Sequence, residues 1–205
     1  MKSMSGIWSC VKASAAALCG DSRGVAATEF ALILPMMLVM FFGTVEVSSG
    51  VAANRKITLV ARTLSDLTSQ SSTVADADAT NFFAASYGIM WPYSTTGMKS
   101  TISELYIDPA TSAARVQWSV GSSKRAVGSK VDIPTGLIGT DSTGKALSGQ
   151  YLIFSEVSYV YTPIVGYVMS KVGVTLSDNA YTRPRQLSCV HYNELTSNPC
   201  PTIVN

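Results

Sequence analysis

Two cysteines and the only histidine of the chain lie close together near its C-terminus: Cys189, His191 and Cys200. Thiolate sulfur and imidazole nitrogen bind zinc well, but a zinc site needs a fourth ligand, and none follows at a familiar spacing. Two cysteines separated by a short loop can also form a disulfide, which would stabilise the fold by roughly 3 kcal/mol. We therefore predict a disulfide between Cys189 and Cys200, with no metal ion and no other cofactor.

Other side chains that could take part in catalysis do not form a recognisable active site. A hydrolytic triad would have to use His191, yet the chain contains no G-x-S-x-G motif. Glu156 and Asp178 lie on candidate strands, but two carboxylates at an unknown separation do not define a catalytic pair. The net charge of +2 is too small to indicate a nucleic-acid partner. We predict neither an enzyme nor a nucleic-acid-binding protein. Three tyrosines could line a binding surface, but we expect them to pack in the core and sheet: Tyr159, Tyr161 and Tyr167.

A glutamate at the edge of an apolar run is the least expected acid in the chain. Glu29 directly precedes residues 30–45, which include no charged side chain. A carboxylate within hydrocarbon costs a few kcal/mol even on mild scales. An acid at the membrane border would avoid that cost, whereas a proton or ion relay usually lies at mid-membrane with partner residues.

The apolar run has the length and composition of a membrane span. Charged residues make up 14% of the chain, against roughly 25% in a typical soluble domain. Residues 25–45 would form a helix of about 31 Å, which matches a hydrocarbon core of about 30 Å. Pro35 within it should kink the helix, because proline leaves the carbonyl of Ala31 without its usual donor. We predict a cytoplasmic leader over residues 1–24 and a transmembrane helix over residues 25–47.

The helix is predicted to continue beyond the membrane as an amphipathic extension over residues 48–70. Apolar side chains recur there at helical spacing, on one face: Ala53, Ile57, Val60, Leu64 and Leu67. The polar side chains fall on the opposite face: Arg55, Arg62, Asp66 and Ser69. The apolar face therefore needs a cover from the remainder of the chain.

Residues 71–205 are predicted to supply that cover as a small α+β domain with an antiparallel sheet. Residues 102–107 and the alternating Val116, Trp118 and Val120 indicate a hairpin. Residues 151–161 form a second strong strand, for which residues 174–183 could be the partner. Residues 122–150 are typical of a long loop, and residues 69–85 of a polar linker with a short helix near 80–85. The predicted fold is α+β, with a long N-terminal helix packed on a small antiparallel sheet.

The residues around the apolar run resemble a known family. Gly24, followed by four small or neutral residues and then by Glu29 and Phe30 at the start of an apolar helix, resembles the processing site of type IV-like prepilins. The surrounding residues also resemble the TadE/TadG-like pseudopilins (minor pilins) of the tight-adherence (Flp) pilus system, at these positions: Arg23, Gly24, Ala26, Ala27, Glu29, Phe30, Ala31, Leu32, Leu34, Pro35, Phe42, Gly43 and Glu46. Residues 157–164 and 181–185 resemble the family's late strands more weakly.

The resemblance implies a pilin-like subunit that is cut by a prepilin peptidase between Gly24 and Val25. Glu29 would then be the fifth residue of the mature chain, and its carboxylate could neutralise the new ammonium of Val25 or of a neighbouring subunit. Glu46 would be an acid at the opposite membrane border. The implied partners are the peptidase, pilin and other pseudopilin subunits, the inner-membrane assembly platform and membrane lipid. A subunit of the filament and one that stays at its base both fit.

The alternative is a signal-anchored or secreted periplasmic binding domain unrelated to pili. Val51, Ala52 and Ala53 provide the small residues of a conventional signal-peptidase site, which would leave Asn54 at the mature N-terminus. The apolar run is longer than the usual 7–15 residues of a signal peptide, and Glu46 lies between the run and that cut.

Membrane orientation is predicted from charge, cysteines and the resemblance together. Lys2, Lys12 and Arg23 precede the apolar run, but three more basic residues follow it. Cys189 and Cys200 follow the run as well, and disulfides persist in oxidising compartments. We expect a single-pass inner-membrane protein with a cytoplasmic N-terminus and a periplasmic C-terminal domain.

Overall fold

The structure is a computed structural model that describes residues 23–163, 173–193 and 200–203. The chain divides into two compact units, the first ending at Ser48 and the second beginning at Ser49. A 47-residue helix, α1 (Arg23–Ser69), begins in the first unit and ends in the second. Most of the predicted leader, residues 1–22, lies outside the described residues.

The described part of the first unit is the apolar part of α1. Its large side chains are exposed, Leu32 by 80% and Val39 by 73%. Among the described residues, α1 is the one helix long and apolar enough to cross a membrane. The helix continues through Pro35. An exposed apolar helix of this length suggests a single-pass membrane anchor.

In the second unit, one face of α1 is buried in the main core. Ala53, Ile57, Val60 and Leu64 are fully buried, as their spacing predicted. Leu67 is only partly buried, and the expectation that Ser69 faces solvent is wrong, because this residue is fully buried. Its hydroxyl donates to the carbonyl of Asp66 at 2.7 Å, which satisfies the polar group within the last helical turn.

The sheet that covers this face has five antiparallel strands in the order β4-β3-β2-β5-β6. The strands are β2 (Lys99–Ile107), β3 (Ala114–Gly121), β4 (Lys130–Val131), β5 (Gln150–Tyr161) and β6 (Val174–Thr182). The predicted hairpin of β2 with β3 and the pairing of β5 with β6 are confirmed, and β2 lies beside β5 to join the two pairs. The predicted α+β class is thereby confirmed.

A buried hydrogen bond and a two-stranded ribbon complete the second unit. The hydroxyl of Ser155 on β5 donates to the α1 carbonyl of Ala61 at 2.6 Å. Strands β1 (Thr73–Val74) and β7 (His191–Tyr192) pair in parallel and attach the C-terminal segment beside the end of α1. The ribbon thus holds His191 and Tyr192 next to the segment that directly follows α1.

The helix after α1 is longer than the sequence predicted. Helix α2 (Asp76–Tyr87) begins four residues before the expected position, and a 3-10 turn (Gly88–Met90) follows it. The carboxylate of Asp78 accepts from the amide of Ala75 at 3.0 Å. Acids in a first turn stabilise a helix by interacting with its exposed amides, which explains the earlier start.

A β-bulge changes the expected alternation in β3. Glu104 lies opposite Trp118 and Leu105 opposite Val116, so Gln117 is an extra residue in the ladder. Trp118 and Val120 therefore join the α1 core, whereas Val116 packs on the other face of the sheet. The expectation that Val116, Trp118 and Val120 share one face is wrong for Val116.

The opposite face of the sheet has its own apolar cluster, which the predicted long loop covers. Leu105, Val116, Leu152 and Phe154 of the sheet pack there. The segment between β3 and β5 includes β4 and a 3-10 turn (Thr135–Leu137), and its apolar side chains complete the cluster: Val131, Ile133, Leu137, Ile138 and Ala146. This segment thus acts as a second layer of the domain.

Candidate functional site

The residues of the predicted processing motif lie in the first turns of α1. Gly24 is the second residue of the helix, and the side chains of Glu29 and Phe30 are exposed. A Cβ atom added at Gly24 would meet nothing within 4 Å. The protein's own packing therefore does not require glycine at this position.

Glu29 lies one helical turn from the backbone nitrogen of Val25, which would become the N-terminal ammonium after cleavage. Residues i and i+4 of a helix are neighbours on one face, so Glu29 lies next to Val25 on the surface of α1. Between them, the hydroxyl of Thr28 donates to the carbonyl of Val25 at 2.8 Å. A carboxylate here can pair with an ammonium on Val25 or on another chain. Glu46, the second acid of the motif, is partly buried at the far end of the apolar run.

A buried polar network, not predicted from the sequence, connects the sheet to the C-terminal segment. Glu104 on β2 is fully buried. Its Oε1 accepts from the amide of Val190 at 2.6 Å, and its Oε2 accepts from the indole Nε1 of Trp118 at 3.0 Å. The same indole nitrogen lies 2.7 Å from the carbonyl oxygen of Val190. Loss of solvation on burial raises the pKa of the Glu104 carboxyl to about 8, although both hydrogen bonds act to lower it.

One sequence signal could have indicated this network. Glu104 stands midway between Ile102 and Tyr106 in a predicted strand, and residues two apart share a face. Both neighbours are buried on the side of the sheet that faces α1 and the C-terminal segment. The alternation of the strand therefore placed Glu104 on the same face as Ile102 and Tyr106.

Pro201 and Ile203 make further contacts with the sheet. The side-chain amide of Gln117, the bulge residue, donates to the carbonyl of Ile203 at 3.0 Å and accepts from its amide at 2.7 Å. The hydroxyl of Tyr151 donates to the carbonyl of Pro201 at 3.0 Å. At the bulge, the side chain of Gln117 thus forms the pair of backbone hydrogen bonds with Ile203 that a neighbouring strand would form.

Cys189 and Cys200 form a disulfide, as predicted. The potential ligand atoms of Cys189, His191 and Cys200 lie within 4.8 Å of one another, but the disulfide uses both sulfur atoms. His191 is buried, with its Nε2 atom 3.7 Å from the sulfur of Cys189. In its oxidised form this cluster offers a metal ion one imidazole and no thiolate, which fits a structural bridge and not a zinc centre.

The carboxylates considered for catalysis are occupied by separate partners. Glu156 accepts from the guanidinium of Arg125 at 2.6 and 2.7 Å, within an open cleft of about 510 Å³. Asp178 accepts from the hydroxyl of Thr58. Of the three tyrosines, Tyr159 and Tyr161 are buried in the main core, as expected, and Tyr167 lies outside the described residues.

The motif on α1 and the buried face of the same helix fall within one recognisable stretch of sequence. Residues 24–65 match the family model of the TadE-like proteins. The resemblance expected from the sequence is confirmed over this range. In the same comparisons, no curated protein and no solved structure matched the chain.

The TadE-like segment includes both kinds of α1 residue described above. It begins at Gly24, includes Glu29 and Glu46, and extends to the buried positions Ile57 and Leu64. The matched sequence therefore covers the apolar helix together with the helical face on which the sheet packs. The sheet itself lies outside the matched residues.

The disulfide provides a direct test of the C-terminal segment. Replacing Cys189 and Cys200 together by serine should lower the free energy of unfolding by about 3 kcal/mol, because the unfolded chain regains the entropy of the open loop. Chemical denaturation of the full chain in detergent, monitored by near-ultraviolet circular dichroism, measures the change. Replacing Cys10 and Cys19 by serine in the unprocessed chain is the matched control and should leave the midpoint unchanged.

Proposed function

We propose that this protein is a pilin-like minor subunit of a tight-adherence type IV-like pilus, with a structural and not an enzymatic role. The observation that carries the proposal is the TadE-like match, which starts at Gly24 and continues along α1 into the core. A membrane helix joined without interruption to a buried helical face suits a subunit that packs by its apolar segment and presents a folded domain outside the membrane.

We further propose that a prepilin peptidase cuts between Gly24 and Val25, and that Glu29 and Phe30 belong to the site it recognises. Removal of the leader would place a positive charge at the apolar end of α1. Glu29, one turn away and exposed, is available to neutralise it in the same chain or in a neighbouring subunit. An ion pair in a medium of low dielectric constant would favour one stagger between packed helices.

The proposed topology is a single pass through the inner membrane with the second unit in the periplasm. The disulfide of the second unit supports this arrangement, because such bonds persist in oxidising compartments. The proposed domains are a leader over residues 1–24, a membrane span over residues 25–47, a helical extension over residues 48–70 and a periplasmic domain over residues 71–205. Pilin and pseudopilin subunits, the assembly platform and lipid are the proposed partners.

The burial of Ala53 argues against the alternative of a conventional secreted protein. A signal peptidase that cuts after Ala53 would cleave α1 within its packed region, since Ala53 and Ile57 are both fully buried in the main core. Such a cut would also detach Ser49, whose carbonyl accepts from the hydroxyl of Tyr93 at 3.0 Å.

The mature N-terminus distinguishes the two proposals. We expect intact-mass analysis and N-terminal peptide mapping of the protein, isolated from membranes of its host, to identify Val25 as the first residue. Identification of Asn54 instead would establish the secreted alternative. The unprocessed chain with Met1 retained, in cells that contain the peptidase, would contradict both.

A further inference from the structure

The loop after α2 presents an exposed tryptophan at the end of the second unit where the chain enters from the membrane segment. Trp91 is 80% exposed, the largest exposure of any large apolar residue described in the second unit. Its neighbour Met90 is fully buried in the main core. The loop is thus anchored on one side of the tryptophan while the indole ring itself projects into solvent.

Two contacts hold the loop against the first turns of the second unit. The ammonium of Lys56 donates to the carbonyls of Ile89 and Trp91, at 2.8 and 2.9 Å. The hydroxyl of Tyr93 donates to the carbonyl of Ser49 at 3.0 Å. These contacts keep Trp91 near residues 49–56 of α1.

The same end of the unit exposes further apolar surface. The ring of Tyr161, the last residue of β5, lies 6.2 Å from the ring of Tyr93 and near Gly50. Around it, Val160 and Val174 are about half exposed, at 49% and 52%, and Val51 is exposed by 50%. We call this surface the Ser49 end, defined by Ser49–Val51, Trp91, Tyr93, Val160 and Val174.

Ser49, where the second unit begins, must lie close to the bilayer surface if α1 spans a membrane. Ser49 follows the last residue of the first unit in the chain, and the apolar run ends only a few residues earlier. This connection is covalent, so Ser49 itself stays near the end of the span, and the remaining residues of the Ser49 end lie on the part of the second unit next to it.

We propose that the Ser49 end is a second membrane contact, in which the indole ring of Trp91 inserts into the interfacial region of the bilayer. Tryptophan is enriched at that depth because its ring is apolar and its N–H can still bond to water or headgroups. Arg55, exposed on α1 beside Lys56, would add attraction to anionic phospholipid headgroups. Such a contact would limit the tilt of the domain on the membrane surface. The inference rests on the membrane span and not on processing at Gly24.

Fluorescence quenching in vesicles tests the proposal directly. The full chain is reconstituted in phosphatidylethanolamine and phosphatidylglycerol vesicles with lipids brominated near the headgroup end of their acyl chains. We expect these lipids to quench part of the tryptophan emission of the wild type, and Trp91→Ser to lose that part. Trp118 is buried in the core, and Trp8 is common to both proteins, so the difference reports on Trp91.

A matched control places a tryptophan at the opposite end of β5. Leu147 is 48% exposed, and its carbonyl accepts from the side chain of Gln150, the first residue of the 12-residue strand that ends at Tyr161. Leu147→Trp in the Trp91→Ser background puts an exposed indole roughly 35 Å from the Ser49 end. We expect the brominated lipids to leave this indole unquenched.

Three results would overturn the proposal. Equal quenching of the wild type and Trp91→Ser would show that lipid does not reach Trp91. Quenching of the indole in Leu147→Trp as strong as that of Trp91 in the wild type would show that the domain contacts lipid without preference for the Ser49 end. Shielding of Trp91 that appears only as the protein-to-lipid ratio rises would assign this surface to a second copy of the chain. Recovery of Val25 or of Met1 at the N-terminus has no bearing on any of these results.

Discussion

Gly24→Val should block removal of the leader and leave a full-length precursor in the membrane. A peptidase acting beside the bilayer must bring the backbone at residue 24 close to its catalytic groups, and a branched side chain would obstruct that approach. The α1 helix itself has room for the side chain, because a Cβ at Gly24 would meet nothing within 4 Å. Loss of processing would therefore report on recognition by the peptidase and not on unfolding of the substrate.

Gly43→Val is the matched control for this variant. Gly43 lies in the same helix, and a Cβ there also meets nothing within 4 Å. The control makes the same chemical change in α1 but lies far from the scissile bond, so it should be processed normally. Immunoblots of both variants, in cells that contain the peptidase, measure the ratio of precursor to mature protein. A mature band of wild-type intensity for Gly24→Val would contradict the proposal that the chain is cleaved after Gly24.

Glu29→Ala is expected to separate processing from assembly. The substitution keeps the Gly24–Val25 bond and removes the carboxylate that we propose to pair with the new ammonium. Cleavage should continue at least in part, while surface pili, counted by electron microscopy, should be lost. If Glu29→Ala is processed and still forms normal pili, the proposed cleavage site is retained but the proposed role of Glu29 in assembly is wrong.

The second large effect concerns the buried carboxyl of Glu104. Its pKa lies near 4.5 in the unfolded chain, and burial raises it to about 8 in the fold. Between these values the folded protein holds a proton that the unfolded chain has released, so stability should fall as the pH rises. Over that range the free energy of unfolding should decrease by about 3–5 kcal/mol and then level off. Below pH 4.5 both states are protonated and the full contribution is present.

Denaturant titrations of the full chain at pH 5 and pH 8 measure this decrease. Glu104→Gln should flatten the pH dependence, because an amide does not titrate in this range. It should also lower stability at pH 5, since an amide oxygen can accept from Val190 or from Trp118 but its nitrogen cannot accept from the other. The matched control is Glu156→Gln, which removes a carboxylate paired with Arg125 near the surface and should keep the wild-type slope. An unchanged slope in Glu104→Gln would show that another group carries the pH dependence.

Local patterns were sufficient to predict the helix and the main strands. The spacing of Ala53, Ile57, Val60 and Leu64 indicated the buried face of α1, because helical periodicity is a property of neighbouring residues. The apolar run and the Gly24–Glu29 spacing led to the family that residues 24–65 match. The nearness of Cys189 and Cys200 in the chain likewise sufficed to predict their bond.

What only the tertiary structure decided depends on contacts between distant segments. The bulge at Gln117 is a single extra residue without a distinctive signal, yet it moves Val116 to the other face and presents an amide to Ile203. Glu104 becomes a group with a raised pKa only because Val190, 86 residues away, closes over it. Likewise, nothing near Trp91 in the sequence indicates that Lys56 holds its loop beside the start of the second unit. Periodicity describes which side of a strand or helix a residue occupies, whereas burial and solvation depend on which other segment packs there.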